Sequence, residues 1–394
     1  MTTGALQGLR VVDVSNFVFG PVATQMLGDM GADVIKIEPP EGDPTRGIGE
    51  RKSGKMGSFF LNLNRNKRSV VLDLKQPDAQ AVLDRLLASA DVFVHNMRSG
   101  AAARLGLDYA RLGAKYPRLV HASAQGFGAG GRYFDRPAYD DVIQGLSGIA
   151  GLNQRAHGVP AYAPMLLTDK LCGVFLYSAI VTALLHRERS GKGQEVVVPM
   201  LESMVAFNML EHMADGVFPA PPGQEPALGY PRAFSPNHRP FDTRDGAICI
   251  IANTDAQWRR LFAMLSLDAL ADDARFATIG SRMTNLDALH AQMQPRLMTD
   301  TTAAWLSKCE QADIPAGPIN DLEAVWHDPH LADCGFFRTV EHRTEGALHM
   351  PDVAMRLSAS PGGIRLAPPL LGEHTAQVLR ELGYSQEDAA RFAS

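Results

Sequence analysis

Apolar runs and helical patterns alternate along the first 125 residues of the chain. Short runs rich in valine, isoleucine and leucine predict strands at 9–15, 33–38, 69–74, 91–96 and 118–125. Amphipathic stretches between them, such as 79–89, predict helices. This alternation is typical of an α/β fold whose parallel sheet is covered by helices on both faces. Since ligands of such folds bind beyond the carboxyl ends of the strands, the candidate binding segments are the loops after Ser15, Glu38, Leu74 and Asn96.

The pattern changes in the second half of the chain. Residues 169–189 predict one long helix, which is followed by a strand over 194–199 and a helix over 201–214. Residues 216–246 contain seven prolines and little periodicity, which is typical of a linker or an extended crossover. A smaller αβ segment follows, with a strand at 247–252 and helices at 255–265, 285–298 and 302–312. The tail from about residue 325 predicts strand-like and loop segments and ends in a helix at 375–382.

Composition narrows the class of protein. The 394 residues include 38 Lys and Arg against 43 Asp and Glu, a formal net charge of −5. This balance argues against nucleic acid as a partner, because phosphate binding needs a cationic face. The longest apolar run, 173–185, is shorter than the roughly 20 residues that cross a bilayer, so we expect a buried helix and no membrane contact. The four cysteines lack C-x-x-C spacing and the first residues lack an apolar signal core, which favours a cytoplasmic enzyme.

One glycine-rich segment matches a nucleotide-binding spacing. Residues 126–131 read G-x-G-x-x-G and follow a predicted strand. A dinucleotide site also needs a helix that opens at the last glycine. Residues 132–137, RYFDRP, begin a helix poorly, which favours a mobile glycine loop and leaves a nicotinamide-dependent dehydrogenase as an alternative.

Thr168 and Asp169 open the long apolar helix. Thr168 is a natural N-cap, and Asp169 is a first-turn acid whose pKa the helix dipole would hold low. The pair can be a helix start and nothing more. Alternatively, an ionised carboxylate with room beside it, left by Gly173, can act as a covalent nucleophile.

Basic and histidine side chains give weaker signals. Residues 62–68 are polar and basic, and Lys75, Arg98 and Arg104 follow predicted strands. Each cation can be a solvated surface charge, whereas together they could bind a phosphorylated ligand. The histidines have no metal-ligand spacing, so we predict no metal site.

Seven segments in order along the chain resemble the class III coenzyme A-transferase family, which contains formyl-CoA transferase, the carnitine CoA-transferase group and α-methylacyl-CoA racemase. They include NLNRNKRSVVLDLK at 62–75, TDKLCG at 168–173 and PPLLGEHTAQVLRELG at 368–383. The others lie at 9–46, 91–107, 139–151 and 189–203.

The resemblance implies a fold and an assembly. A Rossmann-like large domain with a parallel sheet would comprise residues 1–215 and 325–394. A linker over 216–246 would lead to an inserted smaller α/β domain at 247–324. Family members form interlocked homodimers, in which two rings pass through each other, and long extended linkers suit such a ring.

The resemblance also implies an activity. The chain would be an acyl-CoA:carboxylate CoA-transferase that uses CoA thioesters as substrates, a small carboxylic acid as acceptor and no tightly bound cofactor. Asp169 would form an aspartyl anhydride and then an aspartyl-CoA thioester. The coenzyme A contacts that it implies are Ser15, Asn16, Val18, Leu72, Asp73, Leu74, Lys75, Asn96, Met97, Arg98, Arg104, Pro137, Ala138, Tyr139 and Asp140.

Departures from the family pattern bear on the substrate. Val18 replaces a glutamine of the formyl-CoA enzyme, Pro39 replaces an arginine, and no glycine run occurs near 233–243. The racemases have a histidine where Tyr139 stands, and tyrosine is a poor base at neutral pH. A racemase and a CoA-binding protein without turnover stay as alternatives. Substrate choice should depend on the loops near Val18, Tyr139 and 230–243.

Overall fold

The computed structural model describes residues 4–54 and 56–393. Its internal contacts divide the chain into two compact units. The first comprises the segment up to Ile149, Tyr162–Asn208 and the segment from His330 onward. The second comprises Ala150–Ala161 and Met209–Pro329. The domain boundaries inferred from the sequence stay a prediction, because compactness alone does not show where an independently folding domain ends.

Six parallel strands form the sheet of the first unit. They are β1 (Arg10–Asp13), β2 (Asp33–Glu38), β3 (Lys67–Val71), β4 (Val92–His95), β5 (Val120–Gln125) and β6 (Glu195–Pro199). Their order is β3-β2-β1-β4-β5-β6, which is that of dinucleotide-binding folds. The predicted α/β class with a parallel sheet is therefore confirmed. The order reverses between β1 and β4, and a crevice at such a point is the usual ligand site of these folds.

Helices cover both faces of the sheet. Val11 of β1 packs on one face with Leu176, whereas Val12 packs on the other face with Leu86. Neighbouring residues of a strand point to opposite faces, which gives the first unit two apolar cores. The helices up to β6 and just beyond it are α1 (Phe19–Asp29), α2 (Ser58–Leu63), α3 (Pro77–Ala88), α4 (Ser99–Arg104), α5 (Tyr109–Lys115), α6 (Asp140–Leu146), α7 (Ile149–His157), α8 (Leu167–Ser190) and α9 (Met200–His212).

Helix α8 is longer and less buried than its apolar run predicts. It has 24 residues, and within the described chain it alone is long and apolar enough to cross a membrane. The length argument against a span is therefore wrong, although core helices of soluble proteins share this length and composition. Only one face is buried: Leu176 and Ile180 are inaccessible, whereas Val174 is 41% and Leu185 53% exposed.

The second unit contains a small antiparallel sheet packed against helices. Its strands are β7 (Phe241–Asp242), β8 (Ala247–Ile250) and β9 (Ala316–Pro318), in that order across the sheet. Its helices are α10 (Asp255–Met264), α11 (Ile279–Thr284), α12 (Leu286–Leu297), α13 (Thr302–Gln311) and α14 (Leu322–Trp326). Thr254 and Gln257 form a capping box that fixes the start of α10.

The last segment of the chain returns to the sheet of the first unit. It comprises α15 (Pro329–Asp333), the hairpin of β10 (Phe337–His342) and β11 (Gly346–Pro351), α16 (Thr375–Glu381) and α17 (Gln386–Ala393). The N–H of Asn66 donates to the carbonyl of Leu366 at 3.0 Å, and the N–H of His374 donates to the carbonyl of Ser69 at 2.9 Å. The N–H of Val71 donates to Oγ1 of Thr375 at 3.1 Å. These bonds cover the outer edge of β3.

Candidate active site

A cleft of about 170 Å³ opens at the carboxyl ends of β1, β4 and β5. It lies where the strand order reverses, as expected for an open α/β sheet. The residues from the sequence prediction that line it are Asn16, Asn96, Arg98, Pro137, Ala138, Tyr139 and Asp169. The other lining residues are Phe17, Phe19, Ala124, Gln125, Gly126, Phe127, Asp135, Arg136 and Met200. Phe17 and Phe19 follow β1, and Gly126 and Phe127 follow β5, so the strand-end rule that selected the Ser15 and Asn96 loops also points to these four.

Two of the predicted residues join the loops after β1 and β4. The N–H of Asn16 donates to Oδ1 of Asn96 at 3.2 Å, and Nδ2 of Asn96 donates to the carbonyl of Asn16 at 2.9 Å. The side-chain amide of Asn96 therefore pairs with both the N–H and the carbonyl of Asn16, and so holds the loop after β1 against the loop after β4. The two loops form one rim of the cleft.

Buried charged side chains hold the loop after β1, residues 14–18 (the β1 loop), in place. The N–H of Ser15 donates to Oδ1 of Asp13 at 2.9 Å, and Nζ of Lys36 donates to the carbonyl of Ser15 at 2.8 Å. Nζ of Lys36 also lies 2.9 Å from Oδ2 of Asp43, and Nζ of Lys67 lies 3.2 Å from Oδ2 of Asp13. All of these side chains except that of Ser15 are charged groups buried in the protein, so each needs its partners.

The pKa values of this cluster follow from burial and pairing. Burial opposes ionisation of Asp13, but the charges of Lys67 and Lys36 outweigh it and hold the pKa of that carboxyl below its ordinary value. Burial lowers the pKa of Lys67 to about 8 despite Asp13, since the charge of Lys36 adds to the effect. The β1 loop is therefore held by buried charges that are paired with each other.

The N-terminus of α8 brings Asp169 to the cleft beside a second carboxylate. Oδ1 of Asp140 accepts from the N–H of Asp169 at 2.9 Å and from Oγ1 of Thr168 at 2.8 Å. Asp140, from the start of α6, therefore caps α8. The expectation that Thr168 is the N-cap is wrong, because α8 already begins at Leu167 and the Thr168 hydroxyl is a donor.

The expected low pKa of Asp169 is also wrong. Burial and, to a smaller extent, the neighbouring charge of Asp140 together raise the pKa of Asp169 to about 7. These two effects exceed the stabilisation that a helix N-terminus gives a carboxylate. Within the described residues, no group donates a hydrogen bond to the Asp169 carboxylate, which leaves its oxygens free to react.

Gly173 does not leave room beside Asp169. A Cβ atom at this position would lie 2.7 Å from Cγ1 of Val22 and 3.0 Å from the carbonyl oxygen of Phe19. The glycine therefore permits close packing of α8 on α1. The room around the Asp169 carboxylate comes from the cleft.

Gln144, which supports this site from α6, could not be recognised from the sequence alone. Nε2 of Gln144 donates to Oδ2 of Asp140 at 2.6 Å, and its Oε1 accepts from the N–H of Ala163 at 2.8 Å. Gln144 thereby fixes both the capping carboxylate and the segment that leads into α8. The i, i+4 spacing of Asp140 and Gln144 on one helix is too common a signal to select them.

The remaining predicted contact residues lie outside the lining of the cleft. Ser15, Val18, Leu72 and Asp140 are buried, and the carbonyl of Met97 accepts from Nε2 of Gln125 at 3.0 Å. Asp73 forms the turn that leads into α3, with its Oδ1 accepting from the N–H of Lys75 at 3.1 Å. Leu74 lines a different cavity, of about 240 Å³, between α3 and α5. Lys75 and Arg104 are exposed.

The glycine loop does not open a helix. Gly126 lines the cleft, and the N–H of Gly128 donates to Oε1 of Glu202 at 2.8 Å. Turns follow Gly131, and the next helix begins only at Asp140. A dinucleotide pyrophosphate would therefore find no helix N-terminus at this loop. Likewise, no three His, Cys, Asp or Glu side chains in the described ranges are grouped as metal ligands.

Comparison with known proteins decides the family. Residues 6–375 match CoA-transferase family III. The chain belongs to this family. It is 36% identical to a succinate–glutarate CoA-transferase of Agrobacterium fabrum, with 96% of this chain and 95% of that protein covered. It is 32% identical to a formyl-CoA:oxalate CoA-transferase of Afipia carboxidovorans, with 99% and 96% covered. A CAIB/BAIF family protein from Brucella suis shares the fold, with a TM-score of 0.80, 32% identity and coverage of 97% and 100%.

The resemblance derived from the sequence is thereby confirmed. The protein is a class III CoA-transferase, an enzyme that acts on CoA thioesters and carboxylate acceptors.

Proposed function

We propose that this class III CoA-transferase moves coenzyme A from an acyl-CoA donor to a small carboxylic acid with Asp169 as the nucleophile. The observation that carries the proposal is that the Asp169 carboxylate lies in the cleft and that no group among the described residues donates a hydrogen bond to it. The names of its relatives, which include succinate, glutarate and oxalate, favour short dicarboxylic acids as substrates.

The reaction proceeds through two covalent species. An oxygen of Asp169 attacks the thioester carbonyl carbon and the C–S bond breaks. CoA leaves as the thiolate, and a mixed anhydride between Asp169 and the acyl group remains. The thiolate then attacks the Asp169 carbonyl, which releases the first acid as its carboxylate and forms an aspartyl-CoA thioester. The acceptor carboxylate attacks this thioester, a new anhydride forms, and the thiolate attacks its acyl carbon. The products are the new acyl-CoA and free Asp169.

Coenzyme A binds along the carboxyl edge of the sheet. Asn16, Asn96 and Tyr139 would surround its reactive end in the cleft. Lys75, Arg98 and Arg104 are cations that form no ion pair with any described carboxylate, which suits them to the phosphates of coenzyme A. The other implied contacts, including Met97 and the 137–140 segment, stay predictions.

The functional enzyme is proposed to be an interlocked homodimer in the cytoplasm. The first unit exposes apolar side chains of α6, α8 and α9, among them Leu146 at 49% and Phe207 at 44%. A second copy would cover this surface. All four cysteines are free, as a reducing compartment predicts. Light scattering should give twice the 42.6 kDa chain mass even after extensive dilution, because interlocked rings cannot separate while folded.

Trapping during turnover tests the mechanism. The enzyme is incubated with succinyl-CoA, a panel of mono- and dicarboxylates and hydroxylamine, and the thioesters and peptides are analysed by mass spectrometry. We expect a hydroxamate on the peptide containing Asp169 and loss of transfer in Asp169→Ala. Asp141→Asn, which changes an exposed carboxylate near the same site, serves as control and should retain transfer. Transfer with a label elsewhere, or with none, would contradict the proposal.

A further inference from the structure

Phe17 has a backbone conformation that bulky residues rarely adopt. Its φ angle is +62°, in the left-handed region. A β-carbon is unfavourable there, and such residues persist only where their surroundings fix them. Left-handed residues of this kind cluster at functional sites, and Phe17 lines the cleft that contains Asp169.

The chain is fixed on both sides of this residue. Ser15 is held before it by Asp13 and Lys36, and Asn16 by the amide of Asn96. After it, the carbonyl of Val18 accepts from the N–H of Val22 at 2.9 Å, which ties the loop to α1. The loop therefore cannot move aside to relieve a collision with the Phe17 ring.

The ring contributes a rigid wall to the cleft. It packs edge-to-face on Tyr139, with ring centroids 5.9 Å apart and planes at 76°. Tyr139 is 61% exposed, so this aromatic pair faces the open side of the cleft. Asp169 lines the same cleft, so an acid that reacts at its carboxylate shares this cleft with the Phe17 ring.

We infer that Phe17 is a specificity-determining residue that limits the bulk of the acid next to its reacting carboxyl group. This inference rests on the proposed function, because it assumes that the acid reacts at Asp169. Compact linear acids fit in the cleft beside the Phe17 ring. Acids with a large substituent on the carbon beside the carboxyl group collide with this ring, whose backbone is fixed on both sides.

Competition between two acids measures this directly. Succinate and phenylsuccinate compete for one acyl-CoA donor, and the ratio of succinyl-CoA to the phenylsuccinyl-CoA isomer whose thioester lies next to the phenyl-bearing carbon gives the ratio of kcat/KM values for the unhindered and the hindered carboxyl group. Wild-type enzyme should favour succinate by about tenfold or more. Phe17→Gly and Phe17→Asn remove the ring and tolerate a positive φ, and each should shift the ratio toward phenylsuccinate by about tenfold. Phe17→Tyr keeps the ring and should leave the ratio unchanged.

The outcomes separate this inference from the proposed function. Wild-type enzyme that uses both acids equally overturns the inference without any variant. A ratio that stays unchanged in both ring-deletion variants, while each transfers CoA to succinate, also overturns it. Loss of all covalent trapping at Asp169 in active wild-type enzyme overturns the proposed function instead.

Discussion

The carboxylate of Asp140 accepts a hydrogen bond from the backbone N–H of Asp169 at 2.9 Å. The residue that caps α8 is therefore also the negative charge nearest to the proposed nucleophile. It orders the helix start while it disfavours ionisation of Asp169, whose pKa burial and this charge raise to about 7. Positioning and reactivity are coupled through one side chain.

The first prediction concerns the pH dependence of transfer. Only the ionised Asp169 carboxylate can attack a thioester, and its pKa of about 7 leaves it increasingly protonated below neutrality. We expect kcat/KM for the acyl-CoA to fall about tenfold per pH unit below pH 7 and to level off above it. A profile that stays flat down to pH 5 would show that Asp169 is not the ionising group.

Asp140→Asn should move this acidic limb to lower pH. The amide oxygen can still accept from Asp169 and Thr168, but the charge that raises the pKa of Asp169 is gone. Asp140→Ala is the matched variant that also loses the cap. Its free energy of unfolding should fall by about 1–2 kcal/mol, so that it unfolds at a lower denaturant concentration. An unshifted limb in the asparagine variant would assign the raised pKa to burial alone.

Asp169→Asn should be more stable than the wild type at pH 8. A carboxyl whose folded pKa lies above its unfolded value stabilises the fold while protonated, and this contribution is lost as pH rises through about 7. The amide has no such loss, so its advantage should grow by about 2–3 kcal/mol between pH 5 and pH 8. Urea unfolding at the two pH values measures it, and an advantage that shrinks with pH would contradict the assigned pKa.

Lys36→Met should destabilise the β1 loop and the first unit. It leaves Asp43 buried without its cation and frees the Ser15 carbonyl, which should lower the free energy of unfolding by about 3–5 kcal/mol. In the double variant Lys36→Met/Asp43→Leu, neither charge of the pair remains, and part of the lost stability should be recovered. Denaturant titration of the two single variants and the double variant gives the interaction free energy between Lys36 and Asp43. If the losses of the two single variants simply add up in the double variant, Lys36 and Asp43 do not stabilise each other.

Arg104→Ala should weaken acyl-CoA binding without changing the chemistry. Loss of one phosphate contact raises KM for the CoA thioester by about tenfold and leaves kcat within about twofold. Arg189→Ala, an exposed cation near the last turn of α8, is the control and should match the wild type. Steady-state kinetics at low ionic strength distinguishes the two, and an unchanged KM in Arg104→Ala would remove this residue from the coenzyme A site.

The sheet could be predicted from the sequence because each strand is an apolar run. The exception is β3, which was expected at 69–74 and lies at Lys67–Val71. Its first residues look polar, yet Lys67 is buried on Asp13 and Arg68 pairs with Asp33 at 2.7 Å. Charges that are neutralised by distant residues are invisible to a pattern of apolar positions.

The site was predictable in location but not in electrostatics. The strand-end rule and the family resemblance together select Asp169, Asn16, Asn96 and Tyr139, which the structure places in one cleft. The raised pKa of Asp169 depends on Asp140, which lies 29 residues away in the chain. The conformation of Phe17 likewise depends on buried partners from other strands, so no local pattern could have shown it.

The bonds from Leu366, His374 and Thr375 to β3 have a consequence for biosynthesis. While the ribosome is still making the chain, the carbonyl of Ser69 and the N–H of Val71 are unpaired at one edge of β3, because their partners are His374 and Thr375. An unpaired strand edge recruits other strands. The enzyme is thus prone to aggregation until residues 366–375 have been synthesised, and a truncation that removes them would make that state permanent.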